Sequence, residues 1–318
     1  MAGLIYKHSA PPELVRFLFA SLIALLLFTH PTPAQRRSTV SSQPAASALV
    51  ITTEPNAIVW INDIRRGVTD ASGRLEVMKM LPGRHSVRVR AAGFKEVTTP
   101  LAPGKRSLAV RLLKTNDQAE LLFQQAEEAR ERARDDQSRQ KTADLYREGL
   151  RLRDAFPAAR VGLARVLLDL NKSQEALAEI AAARRSRPVY PEASAVEGRI
   201  HKEAAFTEDA ILSFRRAIRE AKGLQPEAYV GLARVYEEQG KFEEAIDSFK
   251  KALAQLSDSE PVIYQLLGAA YEKQQKFKEA VAAYEKYLAL APNGSLAPAV
   301  RSIIDQLRRE AEGHEIIP

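Results

Sequence analysis

EAYVGLARVYEEQGKFEEAIDSFKKAL, residues 227–253, reads as a pair of helices closed in the middle by Gly240. Its GLARV (231–235) also stands at 162–166, 69 residues upstream, and VEGRI (196–200) lies between the two, making steps of 34 and 35 residues. A phrase that returns at this period marks stacked repeats, because one helix pair cannot hide its apolar face alone. Windows opened at Pro157, Pro191, Pro226 and Pro261 align the whole stretch, with spacings of 34, 35 and 35. Their eighth places are Ala164, Gly198, Ala233 and Gly268, and their twentieth are Ala176, Ala210, Ala245 and Ala280. Their twenty-fourth are Ile180, Phe214, Phe249 and Tyr284. A small residue lets the first helix of a window approach the second, and the bulky one fills the space toward the next window.

Each window resembles the tetratricopeptide repeat, which has small residues at places eight and twenty and an aromatic at place twenty-four. Windows three and four, EAYVGLARVYEEQGKFEEAIDSFKKAL and VIYQLLGAAYEKQQKFKEAVAAYEKYL, carry the resemblance most fully. Departures are Arg160 in the first, His201 at place eleven of the second and Tyr287 at place twenty-seven of the fourth. The resemblance implies four repeats over 157–292 in an all-α superhelix with a concave face. Upstream, residues 117–156 read as a divergent helix pair, and 296–313 as a helix covering the end of the stack after the Pro292-Asn293-Gly294 break.

Between 48 and 114 the period falls to two. LVITT, AIVWI, LEVMKM, HSVRVR and SLAVRLL are short strand-like runs. The turns between them are Glu54-Pro55-Asn56, Asp63, Asp70-Ala71-Ser72-Gly73, Leu81-Pro82-Gly83, Ala92-Gly93 and Ala102-Pro103-Gly104. This predicts a small antiparallel β-sandwich. Alternation sends Ala57, Val59, Ile61, Val87 and Val89 to the core and Ile58, Trp60, Arg88 and Arg90 to the opposite face. EPNAIVWIND, Gly67, LPGRHSVRV and AAGF together resemble a PEGA domain, except that Asn56-Ala57 replaces the family's Glu-Gly. TDASGRLEV is also similar to carboxypeptidase-regulatory-like sandwiches. Neither resemblance implies catalysis, and both imply an exported or surface protein.

Charge follows the same division. The net charge is +7, but residues 48–114 hold 12 Lys/Arg against 5 Asp/Glu, while the region from 115 onward is nearly balanced. There is no Cys, which removes disulfides, thiolate metal sites and thiol nucleophiles. Lys7 and Arg16, the apolar run FLFASLIALLLF (17–28) and Thr32-Pro33-Ala34 read as an export signal over 1–34. Residues 35–47 then form a Ser/Pro-rich linker. The apolar run is shorter than a bilayer core requires, so membrane attachment would come only from an uncleaved signal. Export argues against a nucleic-acid partner for this basic chain.

No catalytic constellation appears. There is no GxGxxG, HExxH or GxSxG, and Gly104-Lys105-Arg106-Ser107 lacks the spacing of a phosphate-binding loop. His8, His30, His85, His201 and His314 share no metal-ligand spacing, and Glu243-Glu244 reads as a solvated face. No cofactor, metal or catalytic residue is therefore expected. The informative feature is a ladder. In the tetratricopeptide family, places two, five, nine and twelve line the concave surface. Place nine here is Arg165, Arg199, Arg234 and then Ala269; place twelve adds Lys202, Glu237 and Glu272. An arginine row there would hold acidic side chains or a terminal carboxylate through bidentate bonds, unless each Arg pairs with a neighbouring Glu. The expected protein is thus an exported, non-enzymatic adaptor that binds a protein or peptide. In the alternative, Trp60, Arg88 and Arg90 on the sandwich bind an anionic glycan or cell-wall polymer.

Overall fold

The computed structural model describes residues 48–314 apart from 79, 81, 82 and 257. The expected signal (1–34), the linker (35–47) and Leu81-Pro82 of one expected turn lie outside the described residues. Among the described residues, seven short strands come first: β1 (Leu49–Thr52), β2 (Ile58–Ile61), β3 (Ile64–Val68), β4 (Arg74–Val77), β5 (His85–Arg90), β6 (Val97–Leu101) and β7 (Ser107–Ala109). They form two sheets, ordered β4-β1-β7 and β3-β2-β5-β6. The pairings of these strands are antiparallel except that of β1 with β7, which is parallel. Period-two alternation holds: Ala57, Val59, Ile61, Val87 and Val89 are fully buried between the sheets with Leu49 and Ile51. The β2–β3 hairpin turns on Asn62 and Asp63 with φ of 52° and 61°, the left-handed pair that suits strand twist in a two-residue turn. Thr69 is buried in the next turn, accepting from the Ala57 amide and donating to the Glu54 carbonyl.

Eleven helices follow among the described residues. The first pair is α1 (Gln118–Arg132) and α2 (Asp136–Leu152). The four windows become α3 (Pro157–Asp169) with α4 (Ser173–Ser186), α5 (Pro191–Glu203) with α6 (Thr207–Glu220), α7 (Pro226–Glu238) with α8 (Phe242–Leu256), and α9 (Val262–Lys273) with α10 (Phe277–Leu290). The last is α11 (Ala297–His314), which seals the end by packing Val300, Ile304 and Leu307 into the core of the fourth window. Proline stands at the first helical position of α3, α5 and α7, where its missing N–H costs nothing. Place fifteen of every window is left-handed: Asn171, Ala205, Gly240 and Gln275, with φ of 60°, 61°, 71° and 58°. Gly240 and Asn171 favour this conformation by their own chemistry; Ala205 and Gln275 are held in it by the packing of the helices they join.

The recurrence of GLARV has a packing cause. The Phe214 ring of α6 lies between Gly198 of its own window and Gly231 of the next. A Cβ on those glycines would sit 2.6 Å and 2.2 Å from the ring. In the same way, Gly162 faces Tyr146 of α2, at 2.6 Å from a would-be Cβ. Tyr146 therefore occupies in α2 the place that Phe214 occupies in α6. Where the bulky residue is the smaller Ile180, the next window has Val196 instead of glycine, in the same core cluster.

Candidate functional site

The first helices of the windows carry a row of charges that are paired along the stack. Arg165 donates from both terminal nitrogens to Glu227, at 2.6 and 2.7 Å, and also reaches Glu192 at 3.4 Å. Glu192 and Glu227 are place two of windows two and three, so this place-nine arginine ties together three successive repeats. Its side chain is only 15% exposed. Burial opposes its charge, but Glu227 and Glu192 more than offset this and hold its pKa above the ordinary value. Arg199 and Arg234 differ. Arg199 donates to Asp169 at 2.6 Å and is 41% exposed; Arg234 donates to Glu237 at 2.9 Å and is 46% exposed. Lys202 pairs with Glu203 and Glu238. Glu237, part-buried, has its pKa raised by desolvation despite Arg234. Glu272 accepts from the Tyr284 hydroxyl at 3.0 Å.

The β-sandwich residues meet the near end of this row. The Arg88 and Arg90 guanidiniums lie 4.2 and 5.1 Å from the Trp60 ring centroid. Arg88 pairs with Asp63 and Glu96. Arg90 is buried, bonded to Glu96 at 2.8 Å, paired with Glu127 of α1 at 3.5 Å, and stacked 4.5 Å over Phe123. Trp60, Arg88, Arg90, Arg165, Tyr190 and Glu192 line one cavity of about 1130 Å3. The structure thus brings Arg165 together with the sandwich set. Arg199, Lys202, Arg234, Glu237 and Glu272 lie outside that cavity lining. Among the described residues, no group of three or more His, Asp or Glu is placed to hold a metal ion. Nor is any helix there long and apolar enough to cross a membrane.

Reading residue types by window missed the acids that answer the arginines. Glu192 and Glu227 were visible as a repeated acid at place two, beside the repeated arginine at place nine. Glu127, Arg130 and Tyr146 were not, because the first helix pair keeps no regular register with the windows. Glu127 accepts a short bond from the Tyr146 hydroxyl and pairs with Arg130 and Arg90. Desolvation would raise the pKa of Glu127, but Arg130 and Arg90 outweigh it and hold it below the ordinary 4.5. Glu227 is likewise desolvated yet held below 4.5 by Arg165. Depressed carboxylates stabilise the fold above their unfolded-state pKa, and that contribution disappears as pH falls through the lower folded-state values. Glu237, with its raised pKa, works in the opposite sense, so the wild-type curve alone is not diagnostic. The difference in urea midpoint between wild type and Glu127→Gln, or Glu227→Gln, should be full at neutral pH and shrink as pH falls below the ordinary 4.5 and through the lower folded-state values. A difference constant with pH would mean that these carboxylates do not act through their charge.

Models of the tetratricopeptide repeat match residues 161–201 and 224–293. A thermophilic TPR protein from Thermus thermophilus is similar in structure, with 21% identity and a TM-score of 0.50 over 59% of this chain and 98% of its own. PilF of Pseudomonas aeruginosa aligns with 14% identity and a TM-score of 0.52 over 62% of this chain and 87% of its own. The Cut9 and Hcn1 assembly of the APC/C gives 16% identity and a TM-score of 0.50 over 64% of this chain and 38% of its match. At these identities the likeness is one of fold alone. No curated protein matches the chain.

Proposed function

The chain carries tetratricopeptide repeats, the fold of protein-interaction scaffolds, and from that premise we propose that it is an exported, non-catalytic adaptor holding an acidic segment of a partner protein. The docking surface is the open part of the concave face. The observation that carries this reading is the contrast along the ladder. Arg165 is committed to two internal carboxylates, whereas Arg199 and Arg234 stand at the same place of adjacent repeats, partly exposed, each in one ion pair. A single exposed pair contributes roughly 0–1 kcal/mol. A guest carboxylate can therefore replace Asp169 at Arg199 at little cost and gain a bidentate bond, while at Arg234 it joins the part-buried Glu237 on the exposed side of the guanidinium. Helices this close in a stack lie roughly 8–10 Å apart, a spacing that an extended acidic peptide spans in about three residues. The apolar run at 17–28 supports export, and a PEGA-like sandwich fits an envelope setting.

The test is fluorescence anisotropy with a labelled Asp/Glu-rich peptide and a Lys-rich control. The double variant Arg199→Glu, Arg234→Glu should weaken binding of the acidic peptide at least about tenfold, one bidentate charge-assisted contact being worth that much. Arg308→Glu, on the surface of α11, should leave it unchanged. Equal affinity in wild type and double variant would refute the groove reading. The anionic-polymer reading then moves to Arg84, Lys105 and Arg106, which are exposed on the sandwich, and predicts binding to purified cell-wall polymer that survives the double variant.

A further inference from the structure

The sandwich does not hang beside the helices; it spans them. At its near end it is docked on α1. The Gly93 amide donates to the Gln124 side chain at 2.9 Å, and the Gln124 amide returns a bond to the Phe94 carbonyl at 2.8 Å. Arg90 reaches Glu127 at 3.5 Å. The chain leaving the sandwich is tied to the same corner, since the Lys95 amide bonds the Leu113 carbonyl and the Thr115 amide bonds the Gly93 carbonyl. At the far end, the β3 edge, Arg66 donates to the main-chain carbonyl of Gln255 at 2.8 Å, and its neighbour Arg65 makes an exposed pair with Glu131 at 2.7 Å. Gln255 is in the last turn of α8, where carbonyls lack helical partners and the helix dipole is negative. Arg66 is thus a C-cap delivered from 189 residues away. Between the two ends lies the cavity, running from Glu127 on α1 to Glu260 beyond α8.

We propose that the β3-β2-β5-β6 sheet is a lid over the proximal part of the concave face, anchored on α1 and latched shut by Arg66 capping α8. Two features fit a latch that releases. The near end is held by several mutually supporting bonds, and the far end by the Arg66 hydrogen bond to an uncharged acceptor and one solvent-exposed pair, Arg65 with Glu131, of the kind that contributes little. In addition, Arg66 on the lid and Arg130 at its seat each bury an Nε–H that has no acceptor among the described residues. Closure leaves those donors unpaired, and opening returns them to water. Burial without a facing carboxylate also pulls the Arg66 pKa below its ordinary value. With the lid shut, the exposed arginines Arg199 and Arg234 remain reachable while Arg165 and Trp60, both part-buried, line the cavity beneath the sheet. With it open, the groove is continuous. Only this consequence for the length of a guest rests on the function proposed above; the opening itself does not.

The chain has no Cys and a single Trp, which makes the test direct. Spin labels at Lys105→Cys on the sandwich and Glu243→Cys on α8, both exposed, report the distance between the sandwich and α8 by double electron–electron resonance. The Arg66 chain should show a dominant short distance. Arg66→Ala should raise the ratio of long to short distances about tenfold, and acrylamide quenching of Trp60 should rise with it. Should Arg66→Ala unfold the sandwich, seen as loss of the near-ultraviolet signal of Trp60, Arg66→Gln decides, since it keeps the side-chain stem and weakens the cap. Distance distributions that match the Arg66 chain in the folded variant would overturn the lid, whatever the peptide titrations show.

Discussion

Phe214→Ala should destabilise the helical array by about 3–5 kcal/mol and split its unfolding into two steps. The ring is 2% exposed and lies against Gly198 on one side and Gly231 on the other. Both neighbours are glycines because the ring occupies the space their side chains would need. Removing it therefore leaves a void that the two glycines cannot fill, and the cost follows the volume that the surrounding Ile211, Leu232 and Val235 leave open. The position amplifies the effect. Phe214 joins α5 and α6 to α7, and in a stack each repeat is stabilised chiefly by its neighbours. Urea unfolding followed by far-ultraviolet circular dichroism should change from one transition to two, the part before α7 and the part from α7 onward separating. One sharp transition with a midpoint close to that of wild type would show that the ring is not the junction.

Arg90→Ala is the second large expected effect, about 3–5 kcal/mol. The Arg90 side chain is 7% exposed and serves Glu96 of the sandwich and Glu127 of α1 together. Burial disfavours its charge, yet the two carboxylates hold its pKa above the ordinary value. Without it, Glu96 keeps only the longer contact with Arg88, and Glu127 keeps Arg130 and the Tyr146 hydroxyl but loses its tie to the sandwich. Trp60 fluorescence follows the sandwich, and dichroism at 222 nm follows the helices. In wild type the two denaturation curves should coincide. In Arg90→Ala the Trp60 curve should move to lower urea and separate from the helical one. Two curves that still coincide at the wild-type midpoint would show that the pair does not couple the two parts. Glu127→Gln, combined with Arg90→Ala in a double-mutant cycle, would then isolate the interaction itself.

Much of the architecture was legible because packing constraints repeat. Small residues at places eight and twenty and bulky ones at place twenty-four had to recur wherever two helices meet at one distance, so Gly198, Ala210 and Phe214 could be read without coordinates. Strand alternation placed Val59 and Val87 inward for the same reason: a period of two leaves no third choice of face. The left-handed residues Ala205 and Gln275 were not legible, since nothing in their side chains favours that conformation. The parallel pairing of β1 with β7 was equally hidden, because pairing between strands distant in sequence leaves no mark on either one.

The sequence by itself determined the repeat period, the helix pairs, the two faces of each strand and the arginines at place nine. These are local or periodic properties, and a chain expresses them through residue size and spacing alone. Only the tertiary structure decided what those arginines do. Arg165 is bound to acids one and two repeats away, Arg90 is sealed against α1, and Arg66 caps a helix that begins 176 residues after it. Curvature of the stack and the swing of the sandwich across it set those distances. A charge declares its sign in sequence, but its partner is fixed by where the fold carries it.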